Sequence, residues 1–244
     1  MSELPPIYSD LADWFHLLTH PDDYADEAAF YRSLMERSLG ELPGTLLELG
    51  SGGGNNASHM KGWTRPTLSD VSPAMLAQSR HINPELEHIE GDMRTLRLGR
   101  KFDAVFLHDA VCYMTDELDL RRALQTAFVH CRPGGVALVI PDDVTETFEP
   151  GCNHGGHDGS DGRALRYLEW HWDPDPDDSQ VVTDIALLLR DADGTSRCLH
   201  ERHRCGLFPR ATWLALMRDV GFDAEPVESE MRHAPFLARR PAGR

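Results

Sequence analysis

No run in this chain approaches the roughly 20 consecutive apolar residues a helix needs to cross a bilayer. The opening Met1-Ser2-Glu3-Leu4-Pro5-Pro6 lacks the basic start and apolar core of a secretory signal, so the expected location is cytoplasmic. Cysteine is scarce: five in 244 residues, with no C-x-x-C pair. No disulfide framework is expected, and Cys112, Cys131, Cys152, Cys198 and Cys205 read as reduced thiols. Basic residues are also few, 24 Lys and Arg against 40 Asp and Glu, for a formal net charge of -16. Without clustered Lys or Arg, nucleic acid and anionic membrane are excluded as partners, which leaves a small-molecule substrate. Repeats and low-complexity tails are absent, and nothing in the sequence specifies an oligomeric state.

What is present is an alternation. Apolar spacing from Tyr8 to Leu39 predicts two amphipathic helices, with a fresh start near His20-Pro21-Asp22-Asp23. Leu46 to Leu49, Thr67 to Ser69, Leu86 to Glu90, Ala104 to Leu107 and Val136 to Ile140 read as strands separated by helices, the pattern of a parallel sheet covered on both faces. From Asp142 to Asp178 the pattern gives way to Gly, Asp, His, Pro and Trp, which reads as a lid or a loose excursion. Val181 to Arg190 and Thr195 to Leu207 form a predicted hairpin turning at Asp193-Gly194, followed by a helix from Pro209 to Val220 and a last strand from Phe236 to Ala238. The expectation is a single domain over 1-244: a helical cap (1-40), a core (41-141), a lid or insertion (142-180) and a C-terminal hairpin, helix and strand (181-244).

The most specific stretch is Leu46-Leu47-Glu48-Leu49-Gly50-Ser51-Gly52-Gly53-Gly54-Asn55-Asn56, with Asp70 one helix and one strand further on. This is the layout of a nucleoside-type cofactor site at the start of a βαβ unit. A dinucleotide fingerprint needs a small residue where Asn55 stands, so NAD and FAD are disfavoured. A carboxylate at Asp70 can accept two ribose hydroxyls, or it can cap the helix that begins at Ser72-Pro73.

Glu48-x-Gly50-x-Gly52-x-Gly54 resembles motif I of the class I S-adenosylmethionine-dependent methyltransferases. Asp70-Val71, Gly91-Asp92-Met93, Phe102 to Asp109 and Pro133-Gly134-Gly135 are similar to that family's later motifs, in the same order. Asp23-Tyr24-Ala25-Asp26-Glu27-Ala28, Gly91-Asp92-Met93-Arg94 and Glu146-Thr147-Phe148 resemble the bacterial deoxyaminosugar N-methyltransferases. The resemblance implies an α/β, doubly wound, seven-stranded Rossmann-like sheet with an N-terminal helical cap and an insertion after the fifth strand. It implies S-adenosylmethionine as cofactor, bound by Tyr24, Glu48, Gly50, Gly52, Asn55, Asp70, Val71, Asp92, Met93 and His108, with Asp92 receiving the adenine amino group.

Methyl transfer from a sulfonium needs alignment, and a base only when the nucleophile arrives protonated, as an amine does at neutral pH. His108 and Asp109, at the carboxyl end of the fourth strand, are the first candidates; His200 or His203 from the hairpin could serve instead. Asp142 and Asp143 could hold a cation. In Arg166-Tyr167-Leu168-Glu169-Trp170-His171-Trp172, alternation separates Tyr167, Glu169 and His171 from Leu168, Trp170 and Trp172, and the tryptophans are expected to pack inward. Cys152-Asn153-His154 and Cys198-Leu199-His200 with His203 and Cys205 have metal-ligand types. Alternation divides the second group between two faces, so no metal is expected.

The acidic set Asp109, Asp142, Asp143 and Glu169 favours an amine acceptor and N-methylation. Arg163, Arg166, Arg202 and Arg204 keep O-methylation of a carboxylate or hydroxyl as the alternative, beside a non-catalytic cofactor- or metal-binding protein of the same fold.

Overall fold

The computed structural model describes residues 4–228 and 235–243; Met1 to Glu3, read above as part of a chain start without a signal, lie outside the described residues. The chain begins with helical turns Pro6–Tyr8 and Ala12–Trp14, helix α1 (Phe15–Leu18), a third turn Pro21–Tyr24 and helix α2 (Ala25–Leu39). Only the second of the two expected helices is continuous. The third turn starts where Pro21 predicts: the His20 ring accepts Asp22 N–H at 3.2 Å and Asp23 accepts His20 N–H at 3.0 Å. The segment before it breaks into short turns because its apolar side chains Ile7, Trp14 and Leu17 follow a sheet surface instead of one helical face.

Strands β1 (Thr45–Leu49), β2 (Arg65–Asp70), β3 (Glu87–Glu90), β4 (Phe102–His108) and β5 (Cys131–Ile140) alternate with α3 (Asn55–Met60), α4 (Pro73–Ile82) and α5 (Glu117–His130). They pair in parallel, and all but β3 are largely buried, β1, β4 and β5 through mostly apolar runs. Between β5 and the end of the chain lie β6 (Gly151–Gly155), β7 (Ala164–Trp172), β8 (Gln180–Arg190), β9 (Ser196–Gly206), α5's neighbour α6 (Arg210–Asp219), β10 (Asp223–Pro226) and β11 (Phe236–Arg239). The seven-stranded sheet has the order β10-β11-β5-β4-β1-β2-β3, with β11 antiparallel to β5. Strand β1 therefore has β4 on one side and β2 on the other. Ligands bind doubly wound sheets at such a reversal, outside the carboxyl ends of the strands.

Residues 142–180 are not a loose excursion. They hold β6 and β7, which join the β8-β9 hairpin in an antiparallel sheet of order β6-β7-β8-β9. The Gly-Cys-Asn-His-Gly sequence of β6 gives no strand signal of its own; its pairing with β7 defines it. The inner face of this sheet presents Leu165, Ile185, Leu187 and Leu189 to Ile7, Trp14 and Leu17. Fully burying each such side chain stabilises by about 2 kcal/mol, so the N-terminal turns are firmly held under the sheet.

The orientation of β7 is the reverse of the expectation. Trp170 and Leu168 are each 54% exposed on the outer face, while Tyr167 packs within the inner cluster. Glu169 and His171 share the inner face of β7 with Leu165 and Tyr167.

Candidate active site

The glycine turn leaves β1 at Gly50, whose N–H and that of Ser51 both donate to Ser69 O, at 2.8 and 2.9 Å. This ties the turn to β2. Gly50 has φ 78°, and a Cβ there would collide with that of Ala110, so only glycine serves. Asp70 closes the same arrangement: Oδ2 accepts Gly52 N–H and Oδ1 accepts Ser72 N–H, each at 2.8 Å. Asp70 does not cap α4, because Ser72 does so through Oγ, which accepts Met75 N–H at 3.1 Å. Each Asp70 oxygen keeps a further acceptor site for a ribose hydroxyl. Burial raises the carboxyl above its ordinary range, opposed by the backbone donors of Ser72, Gly52 and Val71. Val71 beside it is 42% exposed, an apolar surface suited to a flat base.

Other expected cofactor residues lie along this turn. Asn55 opens α3 and donates to Thr19 O at 3.2 Å; Tyr24 Oη accepts from Thr19 Oγ1 at 3.0 Å. Glu48 is buried on β1, and burial pushes its carboxyl up to about 8. Glu48 Oε2, Ser51 Oγ and Asn56 Oδ1 are buried with no hydrogen-bond partner among the described residues. Such orphans fit a polar nucleoside-amino acid ligand, which would supply the missing partners.

Met93 is buried against Gly50 and the core. Asp92 is engaged by a neighbouring arginine. Its Oδ1 accepts Arg94 N and Nε and its Oδ2 accepts Arg94 Nε and Nη2, while Arg94 continues to Asp119 at 2.5 Å. These are three N–H groups against a carboxylate's roughly four acceptor sites, so an adenine amino group would bind beside a bidentate arginine.

At the carboxyl end of β4, His108 is buried among aromatic rings, stacked on Phe106 at 5.7 Å and edge-on to Tyr31 at 5.5 Å. Its Nδ1 lies 3.1 Å from Asp109 Oδ2 and its Nε2 3.4 Å from Glu27 Oε1, which also accepts from Asn56 Nδ2 at 3.0 Å. Burial alone would lower this imidazole, but Asp109, Glu27 and Asp142 lift it to about 9, so it is charged at neutral pH. Asp109 is the one non-glycine residue with positive φ, 50°, among the described residues. It precedes the helical turn Ala110–Tyr113 without capping it. Asp142 follows β5; burial and the neighbouring Asp109 carboxylate hold its carboxyl well above the ordinary range.

The two hairpin histidines part company. His200 is exposed on the outer face of β9 and pairs with Asp184 at 2.8 Å, on the face away from His203. His203 is buried on the inner face: Nε2 meets Glu201 Oε2 at 3.1 Å and Nδ1 meets Tyr113 Oη at 2.7 Å. Tyr113 Oη lies 3.2 Å from Tyr8 Oη, and Tyr8 O accepts from Ser72 Oγ at 2.5 Å beside the Asp70 turn. Glu27, Tyr8, Tyr113 and Glu201 were not singled out from sequence; for Glu201, the alternation shared with His203 was the available signal.

Cys152 and His154 on β6 and Cys198 and His200 on β9 are exposed at opposite edges of the four-stranded sheet, about 14 Å apart at ordinary strand spacing. Among the described residues no cluster of His, Cys, Asp or Glu could hold a metal ion, and no helix is long and apolar enough to cross a membrane.

Comparison with known proteins places this arrangement. The methyltransferase-domain family profile matches residues 46–135. The chain is 33% identical over 160 residues to the dTDP-3-amino-3,4,6-trideoxy-alpha-D-glucopyranose N,N-dimethyltransferase of Streptomyces venezuelae, covering 65% of this chain and 67% of that protein. The crystal structure of Streptomyces venezuelae DesVI is similar with TM-score 0.83 at 27% identity, over 96% of this chain and 98% of the other. The S-adenosylmethionine-bound CalS10, an amino pentose methyltransferase from Micromonospora echinaspora, is similar with TM-score 0.77 at 26% identity, over 89% and 91%.

Proposed function

Since the chain belongs to the S-adenosylmethionine-dependent methyltransferases and methylates the nitrogen of a small-molecule amine, we propose that its acceptor is the amino group of a nucleotide-linked deoxysugar. One observation within the site carries the preference: the carboxyls of Glu27, Asp109 and Asp142 gather around His108 at the sheet edge. The arginines an anionic acceptor would recruit are committed elsewhere. Arg163 pairs with Asp13 and Asp161, Arg166 with Asp158, and Arg202 with Asp184, while Arg204 is exposed on the outer face of β9.

When bound, S-adenosylmethionine supplies an electrophilic methyl group. In this reading the turn from Glu48 to Asn56 and the Asp70-Val71 pair hold the donor. Tyr24 and His108 border its methionine end, and His108 and Asp109 adjoin the acceptor. Asp109 attracts the acceptor's ammonium, and Glu169 and His171 on the inner face of β7 form a more distant polar wall.

The test is methyl incorporation from labelled S-adenosylmethionine into two panels, one of free and dTDP-linked amino deoxysugars and one of small carboxylates and hydroxy acids. Labelling of an amino deoxysugar is expected; labelling confined to carboxylates overturns the reading. Calorimetry with S-adenosylmethionine, its demethylated product and NAD provides a separate check on the donor.

A further inference from the structure

The antiparallel sheet sends one buried hydrogen-bonded chain into the cofactor-binding part of the molecule. Glu201 is fixed at one end, since its Oε1 accepts Ile7 N–H at 3.0 Å while its Oε2 faces His203 Nε2. The His203 side chain is 5% exposed and that of Glu201 2%. A carboxylate accepts only, so the Nε2 proton belongs on the Glu201 side and Nδ1 is left as an acceptor toward Tyr113 Oη, 2.7 Å away. A carboxylate orients an imidazole, and the imidazole faces a hydroxyl: this is the logic of an acid-base relay, here ending in a phenol.

The relay's phenol sits on a turn that adjoins the glycine turn. The turn that carries Tyr113 starts at Asp109 and Ala110, and Ala110 lies against the Gly50 position of the glycine turn. Tyr8, in contact with Tyr113, is anchored through its carbonyl to Ser72. By contrast, the imidazole of His108 already holds its second proton at neutral pH, paired with Asp109 and Glu27.

Resting on the amine reading above, we propose that Tyr113, backed by His203 and Glu201, removes the proton of the acceptor's ammonium group. As the nitrogen gives its proton to Tyr113 Oη, the Tyr113 hydroxyl proton passes to His203 Nδ1. The freed lone pair forms the N–C bond while the donor's C–S bond breaks, its electron pair remaining on sulfur. One proton per methyl group is left on the imidazole, facing the Glu201 carboxylate. Tyr113 is the catalytic residue in this scheme; His203 and Glu201 are positioning residues that act through it.

The test compares unaltered enzyme with Tyr113→Phe, His203→Gln and Glu201→Gln on dTDP-3-amino-3,4,6-trideoxyglucose, following kcat from pH 6 to 10 beside S-adenosylmethionine affinity. The groups facing His203 are Glu201 and Cys205 on its own strand, Thr183 with His171 and Glu169 across the sheet, Tyr8 and Tyr113 from the turns, and Asp109 and Asp142 beyond them. They are the same in all the variants apart from the group replaced. Donor affinity should hold, with kcat at pH 7 falling about a hundredfold, the ordinary contribution of a positioned base. The loss should shrink as pH approaches the amine's own pKa, so the rising limb moves to higher pH. Where His203→Gln fails to fold, replacing Tyr113 by a fluorinated tyrosine keeps the shape and should move the same limb. Amine methylation with profiles that are only scaled, or unaltered, overturns the relay alone. No transfer to any amine by the unaltered enzyme removes the amine reading and the relay with it.

Discussion

Asp70 Oδ2 accepts the backbone N–H of Gly52 at 2.8 Å, so the residue that ends the second strand also fixes the turn that ends the first. The proposed ribose site and the glycine turn are thus one mechanical unit. Asp70→Ala is expected to weaken S-adenosylmethionine binding at least tenfold, about 1.4 kcal/mol, by removing charge-assisted acceptors and releasing the turn. Calorimetry measures it, and unchanged affinity would put the ribose elsewhere.

Gly50 sits at φ 78° with Ala110 and Met93 packed on it. Gly50→Ala should destabilise the fold by about 2 kcal/mol, combining backbone strain with overpacking. Adding Ala110→Gly should recover part of that loss by relieving the collision but not the strain. A denaturant titration giving equal midpoints for the single and double variants would show that the two positions do not meet.

The proton on His108 depends on its neighbours. Asp109→Asn removes the larger of the attractions opposing burial, so the imidazole should titrate well below the value of about 9 it has beside an intact Asp109. Histidine NMR across pH 5 to 10 follows it. An unmoved titration would assign the pairing to Glu27.

Glu48 and His108 give folding stability the same pH sign. Burial raises Glu48 from 4.5 to about 8, so the folded chain holds that proton more tightly; the contribution is complete below pH 4.5 and gone above about 8. For His108, raised from 6.5 to about 9, the contribution is complete below pH 6.5 and lost as pH rises through about 9. Thermal melts should therefore fall steadily from pH 5 to 9, and Glu48→Gln should flatten the lower part of that decline. A melting temperature that rises over this range contradicts both assignments.

The donor half of the molecule was readable because its signals are local. Leu46 to Asn56 contains strand, turn and helix start in one stretch, and Gly50, Gly52 and Asp70 meet through bonds that a βαβ unit imposes. The acceptor half was not, because its contacts join distant segments. Glu27 reaches His108 from α2, and Ile7 N–H fixes Glu201 from the far end of the chain. Alternation correctly put His200 and His203 on opposite faces, but which face looks inward depends on Ile7, Trp14 and Leu17 lying beneath the sheet. Trp170 misled for the same reason: its size suggested burial, while the inner surface had already been filled by leucines and isoleucine. Strand β10 escaped notice because Asp-Ala-Glu-Pro has one buried residue and a proline, and its place comes from pairing with β11.

The four-stranded sheet is spliced into the chain between the last parallel strand, which ends at Ile140, and the helix that begins at Arg210. The residues proposed to grip the donor come before that splice, and the His203-Glu201 wall lies within it. Exchanging the spliced segment between relatives would therefore change the wall behind the acceptor while the donor grip is inherited unchanged. Evolution could vary the one without renegotiating the other, provided each new segment still seats the turns around Ile7 and Trp14.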